Sequence, residues 1–157
     1  MKKYKYNSIR YLINVIVPGF FMILILIYAL FNNYINFSVN IYSLLIIICT
    51  YGILNTFVSS SNPKEIIIDN KCIHFISFIA THKYEIKDIK KVRIRELYNK
   101  NLYLKINDGS LFKGRYWIKT NMFSNNVELY NYFVALEECL YPESLKFRNK
   151  RLDNKGV

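Results

Sequence analysis

Residues 11–63 read YLINVIVPGFFMILILIYALFNNYINFSVNIYSLLIIICTYGILNTFVSSSNP and contain no Asp, Glu, Lys or Arg. Crossing roughly 30 Å of hydrocarbon takes about 20 helical residues, so this block is long enough for two crossings and a short turn. The first span is expected over about 11–31, with a dense apolar run from Phe20 to Phe31. The second is expected over about 37–58, with Leu44 to Cys49 at its core. Between them Asn32-Asn33-Tyr34-Ile35-Asn36 is polar, aromatic and uncharged, a turn suited to a lipid–water boundary. Tyr28, Tyr34, Tyr42 and Tyr51 are placed to act as interfacial aromatics, or to pack between the helices.

A cleaved signal peptide would have an apolar core of 7–15 residues and a small-residue cleavage site. The first segment is longer, and Phe31-Asn32-Asn33-Tyr34 is a poor site of that kind, so a retained helix is expected. Pro18-Gly19 near its middle reads as a packing kink, which neighbouring groups in a helix pair tolerate. Four cations (Lys2, Lys3, Lys5, Arg10) precede the first span, none lies in the turn, and Lys64, Lys71 and Lys83 follow the second. Positive charge collects on the cytoplasmic side of a span. Both termini are therefore expected in the cytoplasm of a multi-pass cell-membrane protein. Neither span carries Asp, Glu, Lys, Arg or His, so the relays on which pumps and transporters depend are missing.

The whole chain has 157 residues, a formal charge of +11 and 52% hydrophobic residues, with a mean hydropathy of +0.08. Those averages conceal the partition. All 11 acids and 18 of the bases fall after residue 63. An ordinary soluble domain, a disordered chain and a nucleic-acid module along the whole length are excluded by the uncharged block. Cys49, Cys72 and Cys139 have no paired spacing and His74 and His82 are the only histidines, so no metal ligand set and no cofactor are expected.

Beyond Ser59-Ser60-Ser61-Asn62-Pro63 the pattern changes to short alternating runs. Strands are expected over Lys64 to Asp69, Cys72 to Ala80, His82 to Ile86 and Ile89 to Leu97. In the last of these Val92 and Ile94 face one side while Lys91, Arg93 and Arg95 face the other. Leu102 to Asn107 and Ser110 to Ile118 flank Asp108-Gly109, a signal for a tight type I′ hairpin. The period then changes to that of a helix. Asn125 and Glu128 form an Asn variant of the capping box, Leu129, Phe133, Leu136 and Leu140 make one stripe, and Tyr141-Pro142 ends it. The fold class expected is a transmembrane α-hairpin joined to an α+β domain of six or seven antiparallel strands with one C-terminal helix. Its parts are a basic N-terminus (1–10), the hairpin (11–58), an autonomous β domain (63–141) and a basic tail (142–157).

The strand meander, the segment Ile86 to Ile94 (IKDIKKVRI), the Asp-Gly hairpin and the single terminal helix resemble the bacterial pleckstrin-homology-like domain. The resemblance covers about half the chain, from Pro63 to Tyr141, and rests on order and spacing. It implies a partly open β-barrel capped by the helix, carried on a two-helix membrane hairpin. It implies no particular activity, because one fold hosts many binding roles.

No nucleophile–base pair, G-x-S-x-G turn or Gly-rich phosphate loop is present, so an enzyme is not expected. His74 shares a strand face with Cys72, Ile76 and Phe78 and reads as a core or rim residue; His82 reads as solvated, and Glu137-Glu138 as a hydrated helix face. The cations carry more. Lys91, Arg93 and Arg95 project together, and the tail adds Lys146, Arg148, Lys150 and Arg151. Near an anionic leaflet each such residue contributes about 1 kcal/mol. These seven are the expected surface for anionic lipid headgroups or for a protein partner or second copy; the competing reading is a solvated face with the usual cytoplasmic positive charge. The aromatic–cation strand Leu111 to Trp117 suits base stacking, but a bilayer tether argues against nucleic acid. The expected function is a non-enzymatic, membrane-anchored interaction module. The alternative is a small regulatory membrane protein of the bacteriocin-immunity type, acting through its hairpin.

Overall fold

The computed structural model describes residues 1–35, 40–59, 61–110 and 113–147. Strand β1 (Lys2–Lys5) comes first. The apolar block then forms helices α1 (Ser8–Tyr34) and α2 (Ile41–Val58), both long and apolar enough to cross a membrane, with mean hydropathies of 2.5 and 1.9. Six strands follow: β2 (Glu65–Ile68), β3 (Cys72–Ile76), β4 (Thr81–Glu85), β5 (Val92–Glu96), β6 (Leu102–Ile106) and β7 (Arg115–Ile118). Helix α3 (Asn126–Leu140) completes the regular structure. The strands form two antiparallel sheets, β1-β2-β3-β4 and β5-β6-β7. The architecture is α+β, and among the described residues the sheets do not join into a closed barrel.

Helix α1 begins where the Asn7 side chain accepts the Arg10 amide at 3.2 Å. Its turn widens at Leu12–Ile16, just ahead of Pro18, where proline lacks the N–H that the carbonyl four residues earlier would receive. The two helices meet through small residues. A Cβ at Gly19 would lie 2.6 Å from the Phe57 ring, and Gly52 receives the Met22 thioether. Small residues of this kind let two apolar helices approach closely and pack side chain against backbone. Their outer faces (Phe20, Phe21, Leu24, Ile27 and Phe31; Ile41, Leu44, Ile47 and Ile48) are exposed and apolar. The connecting turn differs from expectation: Asn32, Asn33 and Tyr34 continue the helix. Asn32 bonds back to the Tyr28 carbonyl at 2.9 Å, and Asn33 accepts from Ser43 of α2 at 3.0 Å. Asn40 then caps α2 through the Tyr42 and Ser43 amides.

Each strand turns alternate residues inward, as its period demands. Ile66, Ile73, Phe75, Val92, Leu102, Leu104, Tyr116 and Ile118 are buried, and α3 brings Leu129 and Phe133 onto them. All three layers meet at Phe75. Its ring stacks on Tyr116 of the second sheet at 4.0 Å and on Phe133 of the helix at 6.1 Å.

The N-terminal segment is the largest difference from the sequence reading. Lys2–Lys5 pairs antiparallel with β2, Lys3 opposite Ile67 and Tyr4 opposite Ile66. Tyr4 and Tyr6 are 1% and 5% exposed within the core. Residues 1–10 are therefore not a separate tail, and the β domain draws on more chain than 63–141. The two apolar helices are inserted between its first and second strands.

The junction is packed as well as continuous. Asn7 donates its amide to the Met122 carbonyl at 3.0 Å, the Tyr11 hydroxyl to the Asn62 carbonyl at 2.9 Å, and Trp117 its amide to the Ser61 carbonyl at 2.7 Å. Ser59 and Ser61 are 2% and 1% exposed. Their hydroxyls lie 2.7 Å apart, and that of Ser61 donates to the Asn55 side chain at 3.0 Å. Buried polar groups are held in this way because an unpaired one costs about 1–3 kcal/mol.

Three smaller expectations are corrected. Asp108-Gly109 does not make a two-residue type I′ turn: the positive φ angles fall at Asn107 and Gly114, and the hairpin closes where Ile106 donates to the Gly114 carbonyl. Gly114, at φ 87°, has the Gly109 Cα only 2.9 Å from where a Cβ would stand. Asn125 precedes α3 in a left-handed conformation and makes no side-chain cap bond; Glu128 pairs with Lys2 of β1 instead. The segment after Pro142 is not wholly a tail, since Phe147 is buried at 1% exposure.

Candidate functional site

The outer face of the β5-β6-β7 sheet follows from its register. Arg93 stands opposite Lys105, and Lys105 opposite Arg115. The next outward row is Arg95, Tyr103 and Trp117. Four cations and two aromatics thus share one face, because the alternate residues Val92, Ile94, Leu104 and Tyr116 point into the core. Arg93, Arg95, Tyr103, Lys105 and Arg115 line a shallow hollow of about 260 Å³ without a carboxylate. Tyr103 and Trp117 lie 4.6 Å apart, and Arg115 is steadied by a bond from its Nε to the Gly109 carbonyl at 3.2 Å. Among the described residues none of the four cations forms an ion pair. Like charges directly across a sheet destabilise it, so stability alone gives no reason for this row.

The seven residues singled out from sequence part company here. Arg93 and Arg95 lie on this face. Lys91 points the same way but is neutralised by Asp108 at 3.2 Å. It sits where the Asn107 side chain accepts the Lys90 and Lys91 amides. Lys146 does not belong to a free patch. Its ammonium bridges Glu137 at 2.8 Å and Glu96 at 3.0 Å. Burial lowers its pKa, but the two carboxylates outweigh that and raise it above the ordinary lysine value. Arg148, Lys150 and Arg151 lie outside the described residues. Lys105 and Arg115 were not singled out. Only the pairing register reveals them, and the type I′ turn expected at Asp108-Gly109 would have given a different one.

Two residues read as solvated are structural. Glu137 is 8% exposed and accepts the Ile94 amide of edge strand β5 at 2.7 Å, a bond of the charged kind that contributes about 1.5–3 kcal/mol. His82 Nδ1 shares a hydrogen bond with the Tyr116 hydroxyl at 2.8 Å, which in turn lies 2.9 Å from that of Tyr84. Burial, and then the Lys113 charge, lower the His82 pKa, keeping the ring neutral at neutral pH. Burial raises the Tyr84 and Tyr116 pKa values. A pKa higher in the folded than in the unfolded state contributes stability below the unfolded value, near 10 for tyrosine. That contribution is lost as pH rises from there through the folded value, so both tyrosine hydroxyls stay protonated at neutral pH. His74 lies on the outer face of β3, partly exposed, with Ile73 and Phe75 on the core side.

Among the described residues no group of His, Cys, Asp and Glu is arranged to hold a metal ion. No family model matches the chain, and no curated protein or solved structure matches it either. The assignment of function therefore rests on the geometry of this face and its place beside the helices.

Proposed function

We propose that this chain is a membrane-anchored, non-enzymatic interaction module that holds a pleckstrin-homology-like domain against the cytoplasmic leaflet of a bacterial membrane. The observation that carries the reading is the insertion of both apolar helices between β1 and β2. A hairpin whose two ends feed adjacent, paired strands fixes the domain's orientation to the bilayer; a flexible leash would not. The strand order, four then three followed by one helix, supports the pleckstrin-homology-like reading and a half-open barrel. The excess of cations flanking the spans and their absence between them support cytoplasmic termini.

The test is topological. Cys139 is exposed on α3, so a membrane-impermeant maleimide reports its side of the bilayer in a background with Cys49 and Cys72 replaced. No labelling of intact cells and full labelling after permeabilisation is expected for Cys139, whereas Asn33→Cys in a Cys139→Ser chain should be labelled in intact cells without permeabilisation. Labelling of Cys139 from outside would overturn the reading.

A further inference from the structure

We propose that the outer face of the β5-β6-β7 sheet binds the phosphates of anionic phospholipid headgroups, through the row Arg93, Lys105 and Arg115 and the flanking pair Tyr103 and Trp117. The inference deepens the membrane-module reading and rests on it for the presence of a bilayer.

Three observations converge on this face. Cations occupy directly opposed positions on all three strands, no carboxylate lines the hollow between them, and none of them is ion-paired among the described residues. Repulsion across such a row is relieved by a ligand that carries negative charge between the strands. Arginine suits phosphate oxygens because its guanidinium presents donors in a fixed fork.

Proximity then selects the source of the phosphate. The Trp117 amide is bonded to the Ser61 carbonyl, three residues beyond Val58, where α2 ends. Three residues of chain reach at most about 11 Å, and Arg115 is two residues further along the strand, about 7 Å away. Trp117 therefore lies within about 14 Å of the span's end and Arg115 within about 21 Å, so the face begins beside the bilayer surface. Trp117 is 43% exposed although it is the largest side chain on its sheet. Tyrosine and tryptophan favour the interfacial zone, where one edge of the ring is wet and the rest apolar. A soluble polyanion would gain from the charges but not from this placement beside the span.

Trp117 is the sole tryptophan of the chain, so its fluorescence reports the face directly. The full chain is reconstituted in phosphatidylcholine vesicles with and without phosphatidylglycerol, with brominated acyl chains as quencher. The expected result is a blue shift and stronger quenching on adding phosphatidylglycerol. High salt should reverse both, because the screening length falls from ~10 Å at 0.1 M to ~3 Å at 1 M. The triple variant Arg93→Gln, Lys105→Gln, Arg115→Gln should lose the response while keeping wild-type protease resistance, and Lys90→Gln should keep it. Equal emission in both vesicles, or a response surviving the triple change, would overturn the inference. So would an equal response in neutral vesicles to soluble glycerol phosphate or to an oligonucleotide, since the face would then serve a soluble ligand. A wild-type chain that shows no phosphatidylglycerol response while Cys139 is still protected sinks this inference alone. External labelling of Cys139 with the response intact sinks the cytoplasmic reading alone.

Discussion

Deletion of Lys2 to Tyr6 abolishes cooperative folding of the β domain, although two apolar helices separate these residues in sequence from the rest of it. The magnitude follows from what the segment buries. Tyr4 and Tyr6 are 1% and 5% exposed; burying a large ring contributes about 1.5–3 kcal/mol, less the cost of their hydroxyls, which are buried without a hydrogen-bond partner among the described residues. Their loss also leaves β2 as an unpaired edge along Glu65 to Ile68 and removes the edge-to-face contacts of Tyr6 with Tyr11 and Phe123. A domain stable by about 5–15 kcal/mol does not survive the combined deficit. Near-ultraviolet circular dichroism of the full and shortened chains in vesicles, scanned with temperature, gives the readout. A sigmoidal transition at the wild-type midpoint in the shortened chain would mean that the domain needs nothing from before α1.

Replacement of Phe133 by Ala lowers stability by about 3–5 kcal/mol, the usual cost of removing a fully buried aromatic ring. The ring is wholly buried and stacks on Phe75 while Tyr132 packs edge-on against it. It joins α3 to the point where both sheets meet. The cavity would open between layers, where three separately anchored backbones resist collapse. Denaturant unfolding of the variant in the same vesicles measures the loss. A change below about 0.5 kcal/mol, typical of surface positions, would place the α3 stripe away from the sheets.

The parts of this fold that were legible in the sequence are those whose signal is local. The two apolar helices announce themselves by the absence of charge over 11–63. The inward residues of β5 and β6 follow from period 2, and Leu129 and Phe133 from the helical stripe. What failed depended on partners distant in sequence. The alternation Lys3, Tyr4, Lys5, Tyr6 is a strand signal, but cations just before an apolar span read as a topology signal instead. Its partner strand lies some sixty residues away, beyond the hairpin. Glu137 follows Phe133 by four residues and so lies on the buried side of α3; beside Glu138 it read as part of a hydrated face, and only the Ile94 amide explains its burial. Half of the candidate site was hidden for the same reason. Arg93 and Arg95 alternate visibly within one strand, but Lys105 and Arg115 join them only through a register that the longer loop from Asn107 to Gly114 determines.

The pairing of β1 with β2 across the inserted helices is what joins the hairpin to the β domain, and one cross-link tests it. Lys3 and Ile67 are opposed on the outer side of that pair, within the separation a disulfide can bridge, which ends near ~7 Å between Cα atoms. In a chain freed of its native cysteines, the double variant Lys3→Cys, Ile67→Cys is oxidised in intact membranes. It is compared with the double variant Lys3→Cys, Lys105→Cys, whose two positions are divided between the sheets. Rapid, near-complete intramolecular linkage in the first variant and none in the second is the predicted result. Linkage in the first variant no faster than in the second would contradict the pairing of β1 with β2 across the two inserted helices.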